Sequence, residues 1–175
     1  MADVAIVDTD DLPSADVAAI RRLLDLAFDG RFADTDWEHA CGGRHVVVRD
    51  RGAVVAHGSV VPRRLWIGGD EHDVGYVEAV ATTPQAQGRG FATLVMRAVA
   101  DALDDDGRIG VLSTGAWHFY ERLGWQRWHG PTSVRRTTGA VVRTPDEDDG
   151  IMVLPTTPVD RTSTITCAER VGDDW

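Results

Sequence analysis

Tyr76-Val77-Glu78-Ala79-Val80-Ala81-Thr82-Thr83-Pro84-Gln85-Ala86-Gln87-Gly88-Arg89-Gly90-Phe91-Ala92 is the stretch that decides the fold. Apolar and β-branched residues from Tyr76 to Ala81 predict a buried strand, and Pro84, with no N–H to give a ladder, ends it. Gly88 and Gly90 leave the backbone uncovered, so consecutive N–H groups can approach an anion closely. Phe91, Leu94, Val95, Ala98, Val99, Ala102 and Leu103 then recur at i, i+3, i+4, i+7 and i+8, one stripe of an amphipathic helix. That helix turns its unpaired N–H groups and positive dipole end toward the glycine turn, and Arg89 adds a charge. The junction reads as a phosphate cradle.

A plain strand-turn-helix connection competes with that reading. A dinucleotide fingerprint would need a third glycine where Thr93 stands, and a Walker loop would need Gly-Lys-Ser/Thr, which is absent. Around the junction, Ala5-Ile6-Val7 predicts a first strand, and Ser14 an N-cap for a helix whose apolar face is Val17, Ile20, Leu23, Leu24, Ala27 and Phe28. Asp34 or Thr35 caps a short second helix through Glu38. His45 to Val48 and Ala53 to Ala56 flank the turn Arg51-Gly52, and a further strand from Ser59 to Ile67 ends at Gly68-Gly69. Ile109 to Leu112 is a short strand, Ala116 to Leu123 a helical segment stopped by Gly124, and β-like pieces follow around an acidic loop, Asp146 to Asp149. Hairpins first and an α/β crossover second predict a mixed, mostly antiparallel sheet with helices on both faces, an α/β fold.

A chain of 175 residues with 43% hydrophobic composition is long enough for one core and predicts a single domain over residues 1–175. No basic segment leads into an apolar run, and no stretch is long enough for a membrane span, so a soluble, cytoplasmic protein is expected. Cys41 and Cys167 read as structural thiols. The formal net charge of −10 argues against nucleic acid or anionic membrane as a partner. It suits a cationic ligand, or merely solubility. The histidines, His39-x-Cys41-x-x-x-His45 included, show no ligand set, and no metal is expected.

Gln85-x-x-Gly88-x-Gly90 resembles the Q/R-x-x-G-x-G/A signature of the GCN5-related N-acetyltransferases, in which the loop holds the pyrophosphate of acetyl-coenzyme A. The order of elements also agrees with that acetyltransferase fold. Phe119-Tyr120-Glu121-Arg122-Leu123-Gly124-Trp125 resembles a second segment of the superfamily, which places a tyrosine near the coenzyme A sulfur. Tyr120 is thereby a candidate general acid for the departing thiolate; the plain alternative is a packed ring whose hydroxyl finds a backbone partner. Glu78, among apolar neighbours, either points to solvent or lines a cleft, where it would draw a proton from a substrate ammonium through water. Trp66 and Trp125 read as core. Trp37, Trp117, Trp128 and Trp175, beside polar or charged residues, are candidate faces for a cationic sugar, or ordinary half-buried side chains.

Three further segments resemble the aminoglycoside 2′-N-acetyltransferases: Thr35-Asp36-Trp37-Glu38-His39, Trp128-His129-Gly130-Pro131-Thr132-Ser133-Val134 and Gly172-Asp173-Asp174-Trp175. Gly75 to Glu78 and Arg143 to Asp146 extend the likeness over nearly the whole chain. The resemblance implies that Val80, Ala81 and Thr82 hold the pantetheine arm and that Gln87, Gly88, Arg89, Gly90, Phe91 and Ala92 wrap the pyrophosphate. It implies a drug site of Glu78, Ala79, Ser113, Asp173 and the carboxylate of Trp175, with Asp36 nearby and either Glu147 or Asp148 from the acidic loop. It also implies a homodimer and direct acetyl transfer to the 2′-amine of an aminoglycoside, with Glu78 as base and Tyr120 as acid. Arg31 stands where the family pattern has an aspartate, and it would repel a drug ammonium unless Asp29 compensates. Acetylation of another small amine, or binding of cations without catalysis, are the rival readings that Arg31 keeps open.

Overall fold

The computed structural model describes residues 2–175, which form two compact units. The first comprises residues up to 61 together with 77–102; the second comprises 62–76 and 103–175.

In the first unit, β1 (Asp3–Asp8), β2 (Arg44–Asp50) and the first part of β3 (Ala53–Ile67) are antiparallel neighbours, and β4 (Asp70–Thr82) contributes its end from Val77. It holds the helices α1 (Ser14–Ala27) and α2 (Asp34–Ala40) and, up to Ala102, the helix α3 (Phe91–Asp105). Residues opposite one another across a strand pair share a face, and neighbours along a strand do not. Val47 lies opposite His57, and Val47 packs with Ile20, Leu23 and Leu24 of α1, so His57 faces α1. Val46 lies opposite Gly58, and a Cβ on Gly58 would stand 2.7 Å from Val95 of α3. Helices therefore cover both faces of this part of the sheet.

Gly58 accounts for one correction. The two strands expected on either side of it, Ala53 to Ala56 and Ser59 to Ile67, are one strand of 15 residues. The glycine is no break; it lets β3 approach Val95 and Val80 where a side chain has no room. Ser14 is likewise the first residue of α1, not its cap, because Pro13 holds that place with a carbonyl accepting from Asp16 and Val17.

The second unit contains the end of β3, the start of β4, β5 (Gly110–Ser113), α4 (Trp117–Glu121), β6 (Gln126–Arg127), β7 (Thr132–Arg135), β8 (Val141–Arg143), β9 (Ile151–Leu154) and β10 (Ile165–Ala168). Its strand order is β6-β9-β5-β4-β3-β10-β7-β8. β4 with β5 and β10 with β7 run parallel, whereas β5 with β9 and β10 with β3 run antiparallel, so the sheet is mixed as predicted. α4 is shorter than the expected Ala116 to Leu123, because the N–H groups of Leu123 and Gly124 tighten onto the carbonyls of Tyr120 and Glu121. Among the described residues no helix is long and apolar enough to cross a membrane.

Candidate active site

In the first unit the site residues are held by backbone conformation. β4 ends at Thr82, and a short turn over Pro84–Ala86 carries the chain to Gly88 and Gly90, whose φ angles are +74° and +84°. No atom stands within 4 Å of where a Cβ would be at either glycine, so each supplies left-handed geometry and bare backbone. Thr93 and Leu94 donate to the Gly90 carbonyl, which makes Gly90 the cap of α3 and leaves the amides of Gly90, Phe91 and Ala92 at its open end. This concavity with a positive dipole end fits a pyrophosphate. Arg89 does not stand there as a bare charge: its guanidinium meets Asp50 at 2.7 Å and lies 4.8 Å from the Phe91 ring centroid.

Glu78, Ala79, Val80, Ala81 and Thr82 follow one another along β4, and Ala79 breaks the strand geometry with a φ of +52°. Left-handed backbone is uncommon for alanine and marks a local bulge. Glu78 is half-buried beside it. Asp36, also of this unit, is occupied within its own helix, where its carboxylate accepts the Ala33 N–H at 2.8 Å at the N-terminus of α2. Arg31 lies 3.7 Å from Asp29 in an exposed loop, so the compensating aspartate is at hand but the pair is worth little.

In the second unit side chains dominate. Ser113, at the end of β5, donates to Glu147 Oε2 at 3.3 Å. Glu147 and Asp173 line one cavity of about 350 Å³ together with Asp146, Thr144 and Trp175. Burial, and after it the Asp173 carboxylate, raises the Glu147 pKa; the Ser113 hydroxyl pulls it down, and Asp146 adds a smaller upward push. Asp148, the other candidate, is committed elsewhere. It accepts from the Thr132 N–H and hydroxyl at 2.8 Å each and forms a fork with Arg143 at 2.7 and 3.0 Å, which holds its carboxyl far below the usual carboxylate range. Asp174 is likewise tied to Arg136 at 3.1 Å, and its backbone oxygen to Arg63 at 2.9 Å. Trp175 is 5% exposed, its indole donating to Thr144 at 3.1 Å and its oxygen accepting from Arg170 at 3.0 Å.

Tyr120 is buried in α4, edge-on to Phe119 and Trp125. Burial pushes its phenol up to about 12, against a smaller opposing effect of Thr114, so it keeps its proton. For three of the four tryptophans read as candidate sugar faces, the plain packing alternative holds. Trp128 is 1% exposed with its indole donating to Ser163 at 3.0 Å, Trp117 lies under Arg127 at 3.9 Å, and the Trp37 ring meets His45 tilted, at a centroid distance of 5.6 Å. Polar neighbours in the chain say little about burial, because consecutive residues of a helix or strand point to different faces. Trp66, expected in the core, is half-exposed beneath Arg135, whereas Trp125 is core as expected. Cys167 is buried with its thiol pushed up to about 12, and burial raises Cys41 too, so neither is an activated nucleophile. No cluster able to hold a metal ion occurs among the described residues.

The sequence reading passed over His45 and His57, both fully buried, and the locks on Asp148 and Asp174. The signal for the lock on Asp148 was present as Arg143, five residues before it. Nothing local marked the histidine pair.

The family description "Acetyltransferase (GNAT) domain" matches residues 8–128. The chain belongs to the GNAT acetyltransferase family. Among curated proteins it is similar to an aminoglycoside 2′-N-acetyltransferase of Mycolicibacterium fortuitum, 43% identical over 97% of this chain and 90% of that protein. The GNAT fold is seen again in the GNAT family N-acetyltransferase YhbS of Escherichia coli, solved with CoA, at a TM-score of 0.69 and 19% identity over 98% of this chain and 93% of that one. A GNAT family acetyltransferase of Brucella melitensis, solved with acetyl-CoA, gives a TM-score of 0.63 at 19% identity, covering 93% of this chain and 94% of that one.

Proposed function

We propose that this GNAT protein is an aminoglycoside 2′-N-acetyltransferase. The observation that carries the reading on the substrate side is the cavity lined by Glu147, Asp173, Asp146 and Trp175 beside the Asp148-bound Arg143, where burial first and the Asp173 carboxylate second raise the Glu147 pKa and a polycation would favour its charged form. The full-length likeness to the M. fortuitum enzyme supports it.

Acetyl-CoA supplies the activated acetyl thioester. The Val80, Ala81 and Thr82 backbone holds its pantetheine arm, and Gln87, Gly88, Arg89, Gly90, Phe91 and Ala92 wrap its pyrophosphate. Glu78 takes a proton from the 2′-ammonium through water, since an ammonium has no lone pair for attack. The Val80 N–H polarises the thioester carbonyl, and Tyr120, protonated throughout the working range, gives its proton to the departing thiolate. Ser113, Glu147 and Asp173 hold the drug's other ammonium groups. Asp36, Ala79 and Trp175 shape the site, and Asp148 braces the loop that carries Glu147.

We further infer that residues 1–175 act as one cytoplasmic acetyltransferase domain, because β3 and β4 run from one compact unit into the other without a linker. A homodimer fits the exposed valines Val141 and Val142 on the edge strand β8. Arg31 favours one second reading, acetylation of a different small cationic amine.

Free-thiol release from acetyl-CoA, measured with paired aminoglycosides carrying an amine or a hydroxyl at the 2′ position, tests the proposal. Turnover confined to the 2′-amino compounds is expected. Silence across the panel, with acetyl-CoA still bound, overturns the substrate assignment and leaves the other amine.

A further inference from the structure

A chain of hydrogen bonds unused by this mechanism runs through the first unit. Thr9 Oγ1 lies 3.0 Å from His45 Nε2, His45 Nδ1 lies 3.0 Å from His57 Nε2, and His57 Nδ1 lies 2.9 Å from the Ala79 carbonyl oxygen. Both rings have no solvent exposure, and Trp37 covers them with centroids at 5.6 and 6.5 Å.

The proton positions follow from the chemistry of the ends. A carbonyl only accepts, so His57 Nδ1 carries a hydrogen; burial keeps the ring neutral, so its Nε2 is bare. His45 Nδ1 must then donate to that nitrogen, and burial keeps His45 neutral as well, so its Nε2 accepts from Thr9. Thr9 has one hydroxyl hydrogen and two acceptors in reach, the Gly43 carbonyl at 2.9 Å and His45 Nε2. The Gly43 carbonyl already accepts the Thr9 N–H at 2.9 Å, so the hydroxyl hydrogen serves His45, while the oxygen takes the N–H groups of Gly42 at 2.9 Å and Gly43 at 3.2 Å. All bonds therefore point one way, toward Ala79.

Ala79 is the left-handed residue of β4, between Glu78 and Val80. Beside it, Ser59 donates to the Glu78 carbonyl at 3.4 Å. Two side chains on one face of β3, His57 and Ser59, thus bond two successive carbonyls of β4. An alanine in this conformation is strained and persists only where its surroundings over-determine it.

We propose that His57, oriented by His45 and Thr9, is a positioning residue for acetyl transfer: it fixes the Ala79 carbonyl and with it the bulge that sets Glu78 and the Val80 N–H. This rests on the roles assigned to Glu78 and Val80 above. His57 touches neither substrate in that scheme and acts through the peptide.

Two substitutions separate positioning from packing. In His57→Asn the side-chain amide occupies the place of Nδ1 and can still donate to Ala79, whereas in His57→Gln the amide reaches the place of Nε2 and keeps only the link to His45. For His57→Gln, kcat is expected to fall about tenfold, less than the loss of an oxyanion donor itself, with the Kd for coenzyme A within about twofold. His57→Asn should retain most of kcat. Equal kcat in the two variants, or a parallel loss of coenzyme A binding, overturns the proposal. Imidazole ¹⁵N spectra of the unmodified protein add a reading independent of turnover and of variant folding. Hydrogen on Nδ1 and a bare Nε2 in both rings are expected; an Nε2–H tautomer in either ring overturns the relay. Should the unmodified protein release no thiol with any aminoglycoside, the substrate assignment fails, while the tautomers and a Val80 amide shift moved by His57→Gln alone still decide the positioning role.

Discussion

The glycine turn before α3 and the acidic loop around Glu147 are the two regions proposed to take charged ligands, and they are built in opposite ways. The turn works with backbone: two left-handed glycines and the open end of a 15-residue helix present N–H groups whatever the side chains nearby. The loop works with side chains, and its neighbours have different fates. Asp148 and Asp174 are consumed by Arg143 and Arg136, while Glu147 and Asp173 stay available in the cavity. Backbone recognition is fixed by where glycine is required. Side-chain recognition depends on which charges the fold has already neutralised.

The sharpest way to break this contrast is Gly90→Val. A β-branched residue at a φ of +84° costs roughly 1–2 kcal/mol of local strain and covers the bare backbone, so acetyl-CoA should bind about tenfold or more weakly. Calorimetric titration should find aminoglycoside affinity unchanged; a matching loss of drug binding would mean that the two halves are not built independently.

Within the loop, Asp148→Asn should lower unfolding stability by about 1–2 kcal/mol, toward the low end because its side chain is 35% exposed. Denaturant titration reads this. Glu147→Gln should leave stability unchanged and weaken aminoglycoside binding by about fivefold, as expected for one partly screened ion pair. If the two variants exchanged these effects, the assignment of brace and ligand would be reversed.

Titration gives smaller effects. The raised Glu147 pKa means its carboxylate is lost earlier than an ordinary glutamate as pH falls, so drug affinity should decline in mildly acid solution, and decline less in Glu147→Gln. In the other unit, burial lowers His45 to about 4 and His57 to about 3 from 6.5. The unfolded chain takes up protons that the folded chain refuses, so their contribution to stability is complete above about pH 6.5 and is lost progressively toward pH 4 and below. His57→Asn should remove part of that slope in thermal melts.

Much of this was legible in the chain. The strand into Thr82, the glycine turn and the apolar stripe of α3 are local patterns, each enforced by its own residues, and they stand where expected. Gly88 and Gly90 were readable because a turn with left-handed φ at both positions tolerates few alternatives. Chain neighbours do not report which way a ring points, so they left Trp37, Trp117, Trp128 and Trp175 open between a ligand face and ordinary burial. Asp148 and Glu147 were indistinguishable for the same reason: adjacent acids differ only in what the fold brings to them.

The histidine relay marks the boundary most clearly. Continued from the turn at Arg51-Gly52, the pairing of Asp50 with Ala53 and Arg49 with Val54 would set His45 opposite Gly58 and on the face away from His57. A bulge between Val48 and Arg49 shifts the register by one residue, so that His45 lies opposite Ser59 and shares a face with His57. Element order, the amphipathic helices, the glycine turn and the acidic balance were all readable from the chain, because each depends on local backbone preference or on simple composition. Which carboxylates remain available, and that two histidines meet, came from long-range packing, because a one-residue change of register exchanges the faces of a strand without changing a single residue.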